Sequence, residues 1–188
     1  MKILVLQASP NEDGLTATMA KAAEAGAKAA GAETELVHLK KLTLEACRAC
    51  DDGWGRCRRE SLCIIEDDLE LVRDKLAAAD GVVVSTPVYF GDVAEVVKNC
   101  FDRLRRCERA GPADPRVEGR WLLGIGAAGG GGGGGPTCLV AMERYCAHMG
   151  LAIFDMMIVT RRSREYMVTA AQQAGETFVK YIQEQKQS

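Results

Sequence analysis

The sequence has no long hydrophobic run, few histidines and almost no net charge. No apolar segment approaches the roughly 20 residues that a helix needs to cross a bilayer, so we expect no membrane span. The start, Met1 to Gln7, has no small-residue cleavage site, which argues against a signal peptide and favours a cytoplasmic location. A net charge of −2 provides no general attraction to nucleic acid or anionic lipid. Two histidines and no G-x-S-x-G motif argue against a histidine-centred hydrolase.

Two residue types are in local excess. Seven of the 20 glycines form an unbroken run from Gly129 to Gly135. Four of the 8 cysteines fall within residues 47–63. A disulfide-stapled secreted domain would spread its cysteines along the chain. The cluster therefore indicates reduced thiols, metal ligands or a redox site.

Short apolar strands and helices alternate along the whole chain. Strict alternation of this kind predicts a parallel sheet with helices on both faces. Five such units predict one α/β domain over residues 1–188, with the flavodoxin-like doubly wound strand order 2-1-3-4-5. A cysteine-rich loop occupies about residues 43–66, and a proline-containing loop residues 111–119. We predict strands at 2–7, 33–39, 81–86, 121–127 and 151–160, and helices at 15–30, 69–79, 92–106, 136–149 and 163–185.

Ligands of doubly wound sheets bind at the carboxyl ends of the strands, where the strand order reverses. This rule selects a first loop (residues 8–16), a second loop (residues 87–91) and a third loop (residues 127–136). The first loop precedes a helix, and hydroxyls and free amides at a helix N-terminus form an anion site. The candidate phosphate contacts at this helix end are Ser9, Asn11 and Thr16 of the loop and Thr18 of the helix. The alternative is a helix cap without a ligand.

Three separated motifs resemble those of the NAD(P)H-dependent FMN reductase family, which has the flavodoxin-like fold. Ser9-Pro10-x-x-x-Gly14-x-Thr16 resembles its phosphate loop, although Asn11 stands where the family often has Arg and Leu15 replaces a frequent Asn. Thr86-Pro87-Val88-Tyr89-Phe90 is similar to the loop that lies against the flavin ring. Lys98-x-x-x-Asp102-Arg103 resembles the Lys and Asp-Arg of the family's next helix. The resemblance covers nearly the whole chain in order and spacing.

The resemblance implies an oxidoreductase that passes electrons from NAD(P)H through bound FMN to a small acceptor, such as a flavin or quinone. The flavin performs the chemistry, so no catalytic side chain is expected. Pro87 is expected to leave neighbouring amides free for the ring, and Tyr89 or Phe90 to cover one ring face. A homodimer or homotetramer is also implied. The expected cofactor-binding residues are Ser9, Asn11, Leu15, Thr16, Pro87, Val88, Tyr89, Phe90, Gly91, Ala128, Gly129, Gly130 and Gly131.

The cysteine loop has the spacing Cys47-x2-Cys50-x6-Cys57-x5-Cys63. Four thiolates can bind a [4Fe–4S] cluster or a tetrahedral zinc ion, and metal-free thiols or a local disulfide remain open. The position of the loop is similar to that in the iron–sulfur flavoproteins, a branch of the same superfamily, but that branch has two residues between its second and third cysteines. Nearby arginines would offset thiolate charge or form a solvated face; these are Arg48, Arg56, Arg58 and Arg59.

Two alternatives to an NAD(P)H-dependent enzyme follow. One is an electron-transfer iron–sulfur flavoprotein that exchanges electrons with a redox partner protein. The other is a non-enzymatic redox or nucleotide sensor.

The sequence also contains the pattern G-x-G-x-x-G at Gly124 to Gly129. It falls on the fourth strand, whereas a dinucleotide fingerprint belongs on the first. We interpret Gly124 and Gly126 as small residues within that strand.

Overall fold

Five parallel strands form one sheet, with helices packed on both of its faces. The computed structural model describes residues 1–109 and 116–187. Neighbouring strands pair in the order β2-β1-β3-β4-β5, which confirms the predicted fold class and strand order. The strands are β1 (Lys2–Gln7), β2 (Glu33–His38), β3 (Gly81–Pro87), β4 (Trp121–Ala128) and β5 (Ala152–Thr160).

The helices agree with the prediction except around the second loop and the cysteine loop. The helix predicted from Asp92 begins at Glu95, because Asp92 pairs with Tyr89 through two backbone hydrogen bonds. The cysteine loop contains a 3-10 turn at Asp51–Gly53 and a five-residue helix. Residues 111–115 of the predicted 111–119 loop lie outside the described residues. The helices are α1 (Leu15–Ala29), α2 (Arg56–Glu60), α3 (Leu69–Ala78), α4 (Glu95–Arg109), α5 (Gly135–Met149) and α6 (Arg164–Gln185).

Alternate residues of β1 point to opposite faces of the sheet, as strand geometry requires. Ile3 and Val5 belong to a buried cluster with α1 and α6. Leu4 and Leu6 belong to a second buried cluster with α3, α4 and α5. Each strand of the centre is therefore buried on both faces, which explains why its sequence is continuously apolar. Among the described residues, we find no helix that combines the length and apolar character needed to span a bilayer.

Helices α1 and α6 pack against each other at two glycines. A Cβ atom on Gly26 would lie 1.8 Å from the Gln172 carbonyl oxygen, and one on Gly175 would lie 2.0 Å from that of Ala23. Because both obstacles are backbone, the helices approach this closely only without side chains there. Near their N-termini, Arg164 of α6 lies beside Thr18 of α1. Both N-termini therefore lie at the carboxyl edge of the sheet.

Two glycines of the G-x-G-x-x-G pattern lie within a strand of the sheet. Gly124 and Gly126 are both within β4, which confirms their interpretation as strand residues. A Cβ atom on Gly124 would lie 2.5 Å from Met142 Sδ in α5. This glycine therefore allows α5 to pack closely on the sheet.

Candidate functional site

The first loop ends at the uncapped N-terminus of α1. The residue before that helix is Gly14, which has no side chain to cap the amides of the first turn. Thr16 is 4% exposed, and its hydroxyl has no hydrogen-bond partner among the described residues. Ser9 is 8% exposed, and its hydroxyl accepts a hydrogen bond from the Asn11 amide (3.1 Å). Free amides and an unpartnered hydroxyl at the positive end of a helix dipole suit an anionic group.

The first loop itself has no cation. It contains two acids, Glu12 and Asp13, and no lysine or arginine. Lys41 pairs with the Glu12 carboxylate, and this contact lowers the pKa of Glu12. Lys21 Nζ donates to the Glu12 carbonyl oxygen at 2.8 Å. The two nearby lysines are therefore engaged by Glu12.

The second loop is a tight turn at the end of β3. The Tyr89 and Asp92 amides each donate to the other residue's carbonyl oxygen (3.0 and 2.9 Å), and the Val88 amide donates to the Ala127 carbonyl oxygen at 3.0 Å. The expectation that amides next to Pro87 are free is therefore wrong for Val88 and Tyr89. Among the described residues, the amides of Phe90 and Gly91 have no backbone partner. They are the donors that this loop offers to a ligand.

The aromatic residues of this turn face solvent. Phe90 is fully exposed and has a φ of 51°, in the left-handed region that non-glycine residues rarely adopt. Tyr89 is 42% exposed. Neither ring belongs to the core. Both are therefore available to cover a planar ligand.

Gly134 brings the third loop directly against the second. It has a φ of 79°, and a Cβ atom there would lie 2.6 Å from Gly91 Cα. The Thr137 hydroxyl contacts both loops, 2.7 Å from the Gly91 carbonyl oxygen and 3.0 Å from that of Gly134. We call this contact the glycine latch (Gly91, Gly134 and Thr137). Only glycine satisfies both the backbone angle and the close approach at position 134.

The rest of the third loop is open. A Cβ atom on Gly129, Gly130 or Gly131 would meet nothing within 4 Å, and all three residues are exposed. Gly132 instead lies against Thr160 at the end of β5, where a Cβ atom would be 2.7 Å from Thr160 Cγ2. The open glycines form a bare backbone surface beside the second loop. The structure therefore places the three predicted loops side by side, because β1 pairs with β3 and β3 with β4.

The four clustered cysteines line one cavity with a fifth thiol. Cys47, Cys50, Cys57 and Cys63 are half-buried and unbonded, and they share the cavity with Cys107 of α4. Within the described chain, no three Cys, His, Asp or Glu side chains converge closely enough to hold a metal ion. The donor chemistry thus fits an iron–sulfur cluster or zinc, whereas the placement of the sulfur atoms does not. The sequence places Cys107 on one helical face with Cys100, as a core residue, but it does not predict that Cys107 reaches this cavity.

Arg103 anchors the cysteine loop to the body of the protein. Its guanidinium makes two hydrogen bonds with the Asp67 carboxylate (2.6 and 2.9 Å) and donates to Cys63 Sγ at 3.3 Å. It also donates to the backbone carbonyl oxygens of Glu45 and Ile65. Burial opposes the charge of Arg103, but the hydrogen bonds to Asp67 and Cys63 outweigh it, so the pKa of Arg103 is raised.

Arg106 holds the tip of the cysteine loop. It donates to the Gly53 carbonyl oxygen, and its guanidinium lies 4.5 Å from the centre of the Trp54 ring. Of the five non-glycine residues with positive φ in the described part of the chain, four lie within residues 49–61. These left-handed residues are Ala49, Asp51, Asp52 and Ser61. Contacts from α4 therefore hold a backbone that local preference disfavours.

The family model for NADPH-dependent FMN reductases matches residues 1–161. The chain belongs to this family. The match includes all three loops and the cysteine loop. Family membership supports a flavin-dependent oxidoreductase with FMN as its cofactor, and it confirms the resemblance seen in the sequence.

Curated relatives of this FMN reductase family member are described as iron–sulfur flavoproteins. One from Methanosarcina thermophila is 37% identical over 109 residues, which cover 56% of this chain and 55% of the relative. One from Archaeoglobus fulgidus is 37% identical over 105 residues, which cover 56% of this chain and 49% of the relative. The chain thus spans about half the length of the curated relatives that it matches.

Two solved structures with the same fold have titles that name a reductase and an oxidoreductase. A flavone reductase superposes with a TM-score of 0.75 at 21% identity, over 99% of this chain and 64% of that one. An NAD(P)H:quinone oxidoreductase from Methanothermobacter marburgensis superposes with a TM-score of 0.75 at 18% identity, over 95% and 96% of the two chains. At this level of identity, the similarity establishes the fold.

The chain's own residues fit FMN. The first loop offers free amides and the unpartnered Thr16 hydroxyl for a phosphate. The open glycines and the free amides of the second loop offer a flat surface and donors for a ring. Bare backbone of this kind permits the close approach that a planar ligand needs.

Proposed function

We propose that the chain binds FMN along the carboxyl edge of β1, β3 and β4 and passes electrons from NAD(P)H to a small acceptor, such as free flavin or a quinone. The observation that carries the proposal is that one family match includes all three loops, which the strand pairing places on the same edge of the sheet. This edge is the ligand-binding edge of doubly wound sheets.

The residues divide into a phosphate end and a ring end. Ser9, Asn11, Thr16 and the amides after Gly14 hold the phosphate, with Leu15 beside it. The second loop supplies Tyr89 and Phe90 for the ring face and the amides of Phe90 and Gly91 for polar ring atoms. The third loop lines the ring with the backbone from Ala128 to Gly131. When bound, FMN supplies the hydride and electron chemistry.

The site has no side chain that needs to act as a general acid or base. The chain binds and orients the cofactor, and it leaves one ring face open to the electron donor and acceptor. Amide donors at the ring stabilise negative charge on it, which tunes its reactivity. Tyr89 and Phe90 exclude water from the face that they cover.

The absorption spectrum of the purified protein tests this proposal, together with NADPH and NADH oxidation in the presence of FMN or a quinone. We expect a yellow protein that binds FMN in equal amount to the chain and oxidises a pyridine nucleotide. A protein that contains no flavin and fails to bind added FMN contradicts the proposal. In that case the non-enzymatic redox or nucleotide sensor becomes the favoured function.

A second candidate is an iron–sulfur flavoprotein that exchanges electrons with a partner protein. The observation that favours it is the shared cavity of Cys47, Cys50, Cys57 and Cys63, next to the cationic Arg103 and Arg106. The curated relatives are also described by that term. Because the thiols do not converge, binding a cluster requires the segment between Cys47 and Cys57 to rearrange.

Anaerobic purification separates this candidate from the first. About four iron atoms and about four acid-labile sulfides per chain support a [4Fe–4S] cluster. Zinc without sulfide supports a zinc site, and a metal-free protein leaves the thiols without a metal role. Cys63→Ser is expected to abolish a cluster, whereas Cys138→Ser, a buried thiol of α5 away from the cavity, is the matched control.

A further inference from the structure

The proposed phosphate site has no cation in its own loop. A dianionic phosphate at the first loop would lie beside Glu12 and Asp13, and the loop itself contains no lysine or arginine. Lys41 and Lys21 are engaged by Glu12. Buried or half-buried anions in proteins are paired with cations or hydrogen-bond donors. A cation that pairs with the phosphate would therefore have to come from another element.

The N-terminus of α6 provides such a cation. Arg164 Nη2 donates to Thr18 Oγ1 at 3.3 Å, and Thr18 Oγ1 donates to the Gly14 carbonyl oxygen at 3.0 Å. Gly14 is the residue immediately before α1. The guanidinium is thus two hydrogen bonds from the helix end where the phosphate would bind. Arg164 is exposed and makes no ion pair among the described residues.

The packing of α6 on α1 fixes this position. Gly26 and Gly175 let the two helices approach until their backbones touch, with both N-termini at the same edge of the sheet. An arginine at the first position of α6 is therefore held beside the first turn of α1. The free amides of that turn and the unpartnered Thr16 hydroxyl lie on the same helix end.

We propose that Arg164 is a binding residue for the phosphate group of the flavin cofactor, which it reaches from α6 while the first loop supplies the neutral donors. This inference rests on the proposed function. Arginine suits the role because its planar fork donates two hydrogen bonds to a phosphate and stays charged at any working pH. The prediction is a selective loss of FMN affinity, because riboflavin has the same ring and no phosphate.

The test measures the binding of FMN and of riboflavin by the quenching of flavin fluorescence. It compares four proteins: wild type, Arg164→Ala, Arg164→Lys and Arg162→Ala. We expect Arg164→Ala to weaken FMN binding about tenfold and to leave riboflavin binding within about twofold. Arg164→Lys should recover part of the FMN affinity. Arg162→Ala removes the same charge two residues away, from an exposed residue, and should have a small effect.

Each other outcome overturns a specific claim. Equal weakening of FMN and riboflavin shows that Arg164 maintains the structure and does not bind phosphate. Equal effects of Arg162→Ala and Arg164→Ala show a general electrostatic field and no contact. An unchanged FMN affinity in Arg164→Ala also overturns the inference. If wild type itself fails to bind FMN, the proposed function fails first, and the inference fails with it.

Discussion

Arg103 and Asp67 form the ion pair on which the cysteine loop depends. Both side chains are about 1% exposed, and Asp67 also accepts hydrogen bonds from the Glu45 and Leu69 amides. A single carboxylate therefore binds both the cysteine loop and the start of α3. A buried charge whose partner is removed is costly, because water cannot solvate it.

We predict that Asp67→Asn lowers the free energy of unfolding by about 3–5 kcal/mol, because it leaves Arg103 buried without its counterion. Chemical denaturation of the purified variants measures this. The control is Glu176→Gln, which breaks the exposed Lys180–Glu176 pair and should cost less than about 1 kcal/mol. Equal losses in the two variants would contradict a special role for the buried pair.

Because Asp67 titrates, we expect the free energy of unfolding to depend on pH. Burial alone would raise the pKa of Asp67, but hydrogen bonds from Arg103 and from two backbone amides lower it below its ordinary value. Its contribution is therefore complete above the unfolded pKa of about 3.9 and is lost as the pH falls through the lower folded pKa. The stability gap between wild type and Asp67→Asn should stay constant from neutral pH to about pH 5 and shrink below about pH 4.

The eight cysteines fall into two classes by burial, four half-buried and four buried. Burial raises the pKa of Cys100, Cys107 and Cys146 to about 12 and that of Cys138 to about 11. A thiol that stays protonated and buried is a poor nucleophile. The four cysteines of the cysteine loop are half-buried, so a reagent in solution can reach them.

We predict that iodoacetamide at mildly alkaline pH labels Cys47, Cys50, Cys57 and Cys63 in the native, metal-free protein and spares the four buried cysteines. Mass spectrometry of the digested protein measures the labelling. Cys63 and Cys107 are the sharpest pair, because they line the same cavity but differ in burial. Labelling of Cys107 as fast as Cys63 would show that α4 opens at the cavity.

At the scale of elements, the glycine latch joins the second and third loops. Seven consecutive glycines look interchangeable in the sequence, but they have different surroundings in the fold. Gly134 combines positive φ with a backbone neighbour, whereas Gly133 has open space around it and no positive φ. The latch sets the distance between the two loops that would enclose a flavin ring.

We predict that Gly134→Ala weakens FMN binding about tenfold or more, because a Cβ atom would push Gly91 and the second loop away. Gly133→Ala is the matched control and should bind FMN as wild type does. Flavin fluorescence titration compares the two variants. If they bind FMN equally well, the separation of the loops does not control the site.

At the scale of the whole molecule, we predict that Phe90 lies on a surface for self-association. It is a fully exposed aromatic residue on a hydrogen-bonded turn, next to the half-exposed Tyr89. Exposed apolar groups at such a place are typical of interaction sites. The homodimer or homotetramer implied by the resemblance stays a prediction, and so does the cytoplasmic location.

We predict that light scattering shows a homo-oligomer for wild type and a smaller species for Phe90→Ser. The reason is that burying one aromatic side chain per chain stabilises an interface by about 1.5–3 kcal/mol. Tyr166→Ser, which alters an exposed aromatic residue on α6, is the control and should keep the wild-type mass. A monomeric wild-type protein would contradict the prediction.

Most of the fold was predictable because its signals are local. Buried strands such as residues 81–86 are continuous apolar runs in the sequence. Helix ends are marked by residues such as Asp67, whose carboxylate accepts a hydrogen bond from the Leu69 amide. The errors arose where tertiary contacts override local preference. Because Asp92 pairs with Tyr89, α4 begins at Glu95. Side chains of α4 contact the cysteine loop and stabilise its left-handed residues.

The sequence by itself determined the strand order, the three loops at one edge and the family, because alternation and short motifs are written in consecutive residues. Only the tertiary structure decided which groups meet across the chain. It placed Cys107 in the cavity of the other four cysteines, Gly134 against Gly91, and Arg164 beside the first turn of α1. These contacts depend on helix packing distances and backbone angles, which no local pattern encodes.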